Sequence, residues 1–387
     1  MVLRIARFCR SNRAVAAALM LLVVPAAVSC RDRPEASLPS DSAAEDEDPD
    51  QGLTFRNITL EQADDDGAVQ WRVVADQAIY SQDRQDAEIE NLTGEFFRDG
   101  EPAYDVSARE GDVLQNGAQL VLRDQVVITD LDSGAVLEGD ELTWNPEANT
   151  VTISGQVTGT HPDLEISASS AEAYIDEQRI EIEDDVKVVN TEGTVQLSGD
   201  RLVWDIEKEL LTANRPLRIQ QRQGNQVTHR ASADRASFNV AEEVATLQQN
   251  AIVTLQDPPI RLTGDALRWN MAEQTVTASQ PFTVVQQADQ TIVQADRGQG
   301  NLESQVFKMQ GNVSVLAQRT GGRLTSDRLT WTIPTQNVVA EQNVVYRQPD
   351  PALDLKGDRA VGRLDDQTLV VTGDRVVTEI VPDALSQ

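Results

Sequence analysis

Leu137-Glu-Gly-Asp-Glu-Leu-Thr-Trp144 returns three times in the same frame, as Leu197-Ser-Gly-Asp-Arg-Leu-Val-Trp204, Leu262-Thr-Gly-Asp-Ala-Leu-Arg-Trp269 and Leu324-Thr-Ser-Asp-Arg-Leu-Thr-Trp331. A fifth copy, Leu355-Lys-Gly-Asp-Arg-Ala-Val-Gly362, has lost its Trp. Weaker copies lie at Ser170–Tyr174, Asp234–Phe238 and Asp296–Gly300. Aligned on the Asp column, the copies fall at positions 76, 109, 140, 170, 200, 234, 265, 296, 327 and 358. These steps of about thirty-one residues mark a repeat architecture, in which each unit buries its apolar face only by stacking on its neighbours.

Within a unit the apolar period is two. Leu142 and Trp144 share a face, as do Val151 and Ile153, and the pattern recurs at Leu202 and Trp204, Leu267 and Trp269, and Leu329 and Trp331. Alternation of Val, Ile, Thr and Trp between Gly, Asn, Asp and Pro predicts half-buried strands. Asn145-Pro146, Gly155-Gln156, Gly311-Asn312 and Gly373-Asp374 read as the turns between them, which makes each unit two or three strands of about five residues. After residue 30 no helical stripe is sustained, so the expected class is all-β. A parallel β-helix is one architecture for ten such units. The hairpin signals favour the other, an elongated two-sheet jelly roll growing along its axis by roughly 50–100 Å.

Composition narrows the function. The 387 residues carry 63 acidic and 33 basic side chains, a net charge of −30, and no basic stripe, which argues against a nucleic-acid partner. The two cysteines, Cys9 and Cys30, lie in the first thirty residues. The body therefore has no disulfide, zinc cluster or catalytic thiol, and it calls for no cofactor. Two histidines, His161 and His229, leave little acid–base or metal chemistry.

Residues 1–29 read as an address. Arg4, Arg7, Arg10 and Arg13 precede an apolar run from Ala14 to Val28. As a helix that run is about 22 Å long, short of a ~30 Å hydrocarbon core, and Pro25 interrupts it. Ala27-Val28-Ser29-Cys30 resembles a bacterial lipobox, with Ala27 where Leu is usual, so Cys30 is a candidate for acylation. A retained signal anchor and ordinary cleavage stand beside that reading, and all three send the chain across a membrane. Residues 30–52, acidic and rich in Ser and Pro, read as a tether. Asp46, Asp48 and Asp50 lack the glycine and distal Glu of a calcium loop.

Gly67-x3-Trp71-x3-Ala75-x2-Ala78-x-Tyr80, followed by Gly100-x3-Tyr104-x3-Ala108-x2-Gly111, resembles the start of the LptC domain of lipopolysaccharide export. The later Gly-Asp-x-Leu-x-Trp units resemble the OstA/LptA-type repeat of the same system. The resemblance divides the body into an LptC-like part at 53–160 and an LptA-like part at 161–380, with a tail at 381–387. It implies an open β-jelly roll in the periplasm, anchored to the inner membrane, that carries lipopolysaccharide by its acyl chains. It also implies an ABC transporter as donor, and an LptA-like or LptD-like jelly roll as acceptor through edge-strand addition. Ten units are about twice a typical LptC, which suggests that this chain does the bridging of LptC and of soluble LptA together. Its acidity fits a site that holds acyl chains by apolar burial rather than phosphates by charge.

On that resemblance the lipid-lining candidates are Trp71, Tyr80, Tyr104, Leu142, Trp144, Val151, Ile153, Leu202, Trp204, Leu267, Trp269, Leu329 and Trp331. Core packing explains the same aromatics without a lipid. The partner-docking edges are Phe55, Ile58 and Leu60 at one end and Val376, Val377 and Ile380 at the other, because unpaired strands invite a partner's strand. The repeated Asp140, Asp200, Asp265, Asp327 and Asp358 follow Gly or Ser and read as turn or strand-entry residues rather than a catalytic array. His161 and His229 read as exposed and inert. No Gly-x-Ser-x-Gly elbow or complete dinucleotide loop occurs, and no enzyme is expected. The rival reading is a structural or adhesive β-repeat lipoprotein with a closed core.

Overall fold

The computed structural model describes residues 53–380, apart from 64–66, 99, 146, 351, 364–367 and 374–375. The signal segment, Cys30, the acidic tether and the tail lie outside the described residues. The body begins with β1 (Thr54–Ala63), β2 (Val69–Tyr80), β3 (Ala87–Arg98), β4 (Glu101–Leu114), β5 (Gln119–Asp130) and β6 (Val136–Asn145). It continues through β7 (Thr150–Thr160), β8 (Leu164–Tyr174), β9 (Arg179–Asn190), β10 (Val195–Asp205), β11 (Leu210–Ala213), β12 (Leu217–Gln223), β13 (Gln226–Ala233) and β14 (Arg235–Asn239). Next come β15 (Val244–Leu255), β16 (Ile260–Asn270), β17 (Thr275–Ala278), β18 (Phe282–Gln286), β19 (Thr291–Ala295) and β20 (Arg297–Asn301). β21 (Val306–Ala317), β22 (Gly322–Thr332), β23 (Asn337–Gln348), β24 (Leu353–Arg363), β25 (Thr368–Thr372) and β26 (Val377–Ile380) complete it. Together they form one 26-stranded antiparallel sheet, an elongated meander, with no α-helix among the described residues. The all-β expectation holds.

The strands differ from the expected five-residue pieces. Most run through ten to fourteen residues, and each bends near its middle. At the bend two residues of one strand oppose a single residue of the next, which is a β-bulge. Asp124 and Gln125 oppose Asp140, Asp184 and Asp185 oppose Asp200, and Gln249 and Asn250 oppose Asp265. Gly311 and Asn312 oppose Asp327, and Gln342 and Asn343 oppose Asp358. All ten bulged residues have positive φ, a conformation that Gly and Asn adopt most readily.

Two expectations change accordingly. The repeated Asp is neither a turn nor a strand-entry residue, for it sits in mid-strand at the bend. Gly155-Gln156 and Gly311-Asn312 are bulges inside β7 and β21, not turns. After Ala213 and after Ala278 the bulge becomes a break, where Pro216 and Pro281 stand and the neighbouring strand continues across the gap. Proline cannot donate to the ladder, so the strand splits there.

The line of bends divides the sheet into two layers whose inner faces meet. Layer 1 carries Leu142–Trp144, Leu202–Trp204, Leu267–Trp269 and Leu329–Trp331. Layer 2 carries Val157, Leu197, Leu262 and Leu324 on the other halves of the same or neighbouring strands. The apolar interior forms two clusters. One runs from Trp71 to Trp144, the other from Ile153 to Ala360, and Leu137 packs against both.

Candidate functional site: the inner face and its mouth

The inner face collects the residues singled out from the sequence. Leu142, Ile153, Leu202, Leu267, Trp269, Leu329 and Trp331 are buried to 2% exposure or less. Trp71 and Trp144 are also buried, and Tyr80, Tyr104, Val151 and Trp204 are partly buried against the two clusters. Trp71 belongs to layer 2, beside Phe96, whereas the four later tryptophans belong to layer 1.

Opposite the line of bends, the free ends of the two layers meet in a long mouth, closed by rings reaching across it. The Phe96 and Trp144 ring centroids are 4.2 Å apart. His161 stands edge-on to Trp204 at 5.9 Å, and His229 lies 5.9 Å from Trp269. In each pair the first residue belongs to layer 2 and the tryptophan to layer 1. Farther out, Gln305 Nε2 donates to the Asp257 carbonyl across the same mouth at 3.2 Å. The histidines are therefore half-buried members of this seam, not exposed and inert, and burial lowers the His229 pKa below the ordinary histidine value. Burial likewise raises the Tyr104 phenol, at whose rim Arg98 donates to the hydroxyl at 3.4 Å.

A further row along the mouth was not singled out from the sequence. The layer 1 turns begin with Ile175, Ile206, Val240, Met271, Leu302 and Ile333. Each donates its backbone N–H to the last residue of the preceding turn, as Met271 does to Glu243 at 3.0 Å and Ile333 to Gln305 at 3.1 Å. The turns thus extend the ladder beyond the strands, and Met271, Leu302 and Ile333 are buried. The recurring Trp-x-Ile or Trp-x-Met was the signal that could have found them.

The outer faces are polar and cross-linked by charge. Arg123 binds Asp112 and Glu141, and Arg201 binds Glu181 and Glu183. Burial pushes the Glu181 carboxyl up, and Arg201 and Arg179 outweigh it, holding the pKa below the usual carboxylate value. Two open hollows, of about 580 and 420 Å³, lie chiefly on the outer side of layer 2, around Thr263 and Thr283 and around Val74 and Thr93. They contain none of the predicted lining residues.

At the ends of the meander, β1 pairs only with β2 among the described residues. Phe55 is exposed, while Ile58 and Leu60 lean on the core. β24 carries both β25 and β26. The far edge therefore includes β25, with Val370 exposed, as well as the segment from Val376 through Val377 to Ile380.

A family model described as lipopolysaccharide-assembly, LptC-related, matches residues 17–192. A second, described as LptA/(LptD N-terminal domain) LPS transport protein, matches residues 137–275. No curated protein sequence matches. Among solved structures, this chain is similar to the crystal structure of LptH, the LptA-homologous periplasmic component of the lipopolysaccharide transport device from Pseudomonas aeruginosa. That similarity has 22% identity over 32% of this chain and 87% of that one, with a TM-score of 0.26. Residues 17–192 thus carry an LptC-related match and residues 137–275 an LptA/LptD-type match, both to protein families of lipopolysaccharide transport.

Proposed function

We propose that the protein is held at the inner membrane by its N-terminal segment and passes lipopolysaccharide toward the outer membrane between its two layers. An inner-membrane ABC transporter supplies the lipid at the β1 end. An LptA-like or LptD-like jelly roll receives it at the β25/β26 edge by strand addition. The transfer breaks no bond, because acyl chains move between similar apolar sites at roughly 0.8 kcal/mol per buried CH₂ in each. The observation that carries this reading is the inner face, apolar at every repeat from Trp71 to Ala360. A carrier of chains needs that continuity, and the acidic exterior leaves head-group phosphates outside.

A sealed structural core is the second reading, favoured by the rings that meet across the mouth. Photo-crosslinking in cells separates the two. Benzophenone is placed singly at Leu142, Leu202, Leu267 or Leu329, with outward Thr143 and Thr330 as controls. Lipopolysaccharide adducts at the inward sites alone support carriage. A folded, exported protein with adducts at none of them supports the sealed core.

A further inference from the structure

All five tryptophans share a defect that packing alone does not explain. The indole Nε1 of Trp71, Trp144, Trp204, Trp269 and Trp331 is buried, and none has a hydrogen-bond partner among the described residues. A buried donor left unpaired costs about 1–3 kcal/mol, and native proteins rarely tolerate a row of them. Their placement is as regular as their chemistry. Four stand at the layer 1 edge of the mouth, and Trp71 stands at the layer 2 edge, near the Gly117 turn that reaches across from layer 1. The mouth also buries an unpaired acceptor, Oε1 of Gln286, whose residue is 2% exposed and ends β18 on layer 2. Deeper toward the bends the inner face is hydrocarbon, with Leu267, Leu247 and Val253 buried there. The molecule thus has an apolar floor and unsatisfied polar groups along both lips of the mouth, four indoles on layer 1 and Trp71 with Gln286 on layer 2.

An acylated lipid has the matching division. Its chains are apolar, and where they join the head group it carries ester or amide carbonyls and, in hydroxylated chains, a hydroxyl. Resting on the lipid-path reading above, we propose that the indole N–H row holds the carbonyl and hydroxyl oxygens at the head–tail junction of the lipid. The junction then lies in the mouth, with the chains on the floor and the head group outside. Each tryptophan donates one hydrogen bond, and Gln286 Oε1 can accept one from a hydroxylated chain. The four layer 1 donors recur every 60 to 65 residues, once in every second repeat unit, so a lipid leaving one finds the next in equivalent surroundings. These tryptophans therefore set the depth and step of the lipid, beyond providing apolar bulk.

The test uses the purified full chain with tryptophan labelled by ¹⁵N at the indole, which needs no variant. Five indole resonances are available, one per tryptophan. Lipopolysaccharide micelles and phosphatidylethanolamine vesicles are compared with hexadecane, which has no oxygen. The expected result is a downfield indole proton shift with an acylated lipid and none with hexadecane. A second arm replaces Trp269 or Trp331 by benzothienylalanine, which keeps the shape and substitutes sulfur for N–H. Affinity for the acylated lipid should fall roughly three- to tenfold at each site, with hexadecane uptake unchanged. Shifts with phosphatidylethanolamine but not lipopolysaccharide would keep the indole assignment while overturning lipopolysaccharide as cargo. Unshifted indoles with every acylated lipid, or equal losses for lipid and hexadecane, would overturn the indole assignment.

Discussion

Asp327 accepts a hydrogen bond from Asn343 Nδ2 at 2.7 Å, and the same pairing joins Asp296 to Asn312 at 2.8 Å and Asp234 to Asn250 at 2.6 Å. Each spans sixteen residues, from the Asp column of one strand to the bulge of the next. The repeated Asp thus has a structural task, to hold a left-handed Asn at the bend. Replacing Asn343 by Ala removes both the bond and the tolerance of φ +55°, and should cost about 1–3 kcal/mol. Asn343→Gly restores the φ alone and should recover part of that loss in a urea titration. His229 makes a second residue-scale prediction. Its folded-state pKa is lowered by burial, so the unfolded chain takes up a proton more readily. Stability should be full above the ordinary histidine pKa of about 6.5 and fall as pH drops below it, down to the lowered folded value. A His229→Gln variant should flatten that part of the melting-temperature profile, and an unchanged slope would remove the assignment.

At the scale of strands, alternation at Leu142 and Trp144 or Leu329 and Trp331 was enough to identify β-structure and an inner face. It failed at the bend, for a physical reason. Gly-Asn and Asp-Gln pairs signal left-handed backbone, and that backbone serves a hairpin turn and a mid-strand bulge equally well. Only the pairing partners tell them apart, and those lie some fifteen residues away in a neighbouring strand. Hence strands of five residues were expected where strands of about eleven, bent in the middle, are found. The contacts of His161 and His229 were hidden for a related reason. Each meets its tryptophan across the mouth, about forty residues away and three strands distant, a relation that no local period encodes. The terminal strand allows a test of docking. Val370 on β25 is 62% exposed, so Val370→Lys should weaken capture of an LptA-like partner while leaving the melting temperature within a few degrees. Unaltered capture would place docking on β26 or elsewhere.

Across the whole body, the bends form one seam and the free strand ends the other, and only the second can part without breaking backbone ladders. Side-chain rings and the Gln305–Asp257 hydrogen bond are what hold it. A lipid whose head group stays in water must travel along that mouth, so the central claim is that the mouth parts during transport. The most direct measurement staples it. Asp257→Cys with Gln305→Cys places two thiols on opposite lips, and the body has no cysteine of its own. Thr263→Cys with Thr283→Cys, neighbours on the outer face of layer 2, is the control. Each pair is joined by a reducible bismaleimide, and lipopolysaccharide is read by photo-crosslinking at Leu329, beyond the staple. Stapling the lips should cut the Leu329 adduct severalfold and cleaving the reagent should restore it, with the control pair at the unstapled level throughout. An undiminished adduct with the lips joined would contradict transport along a parting mouth.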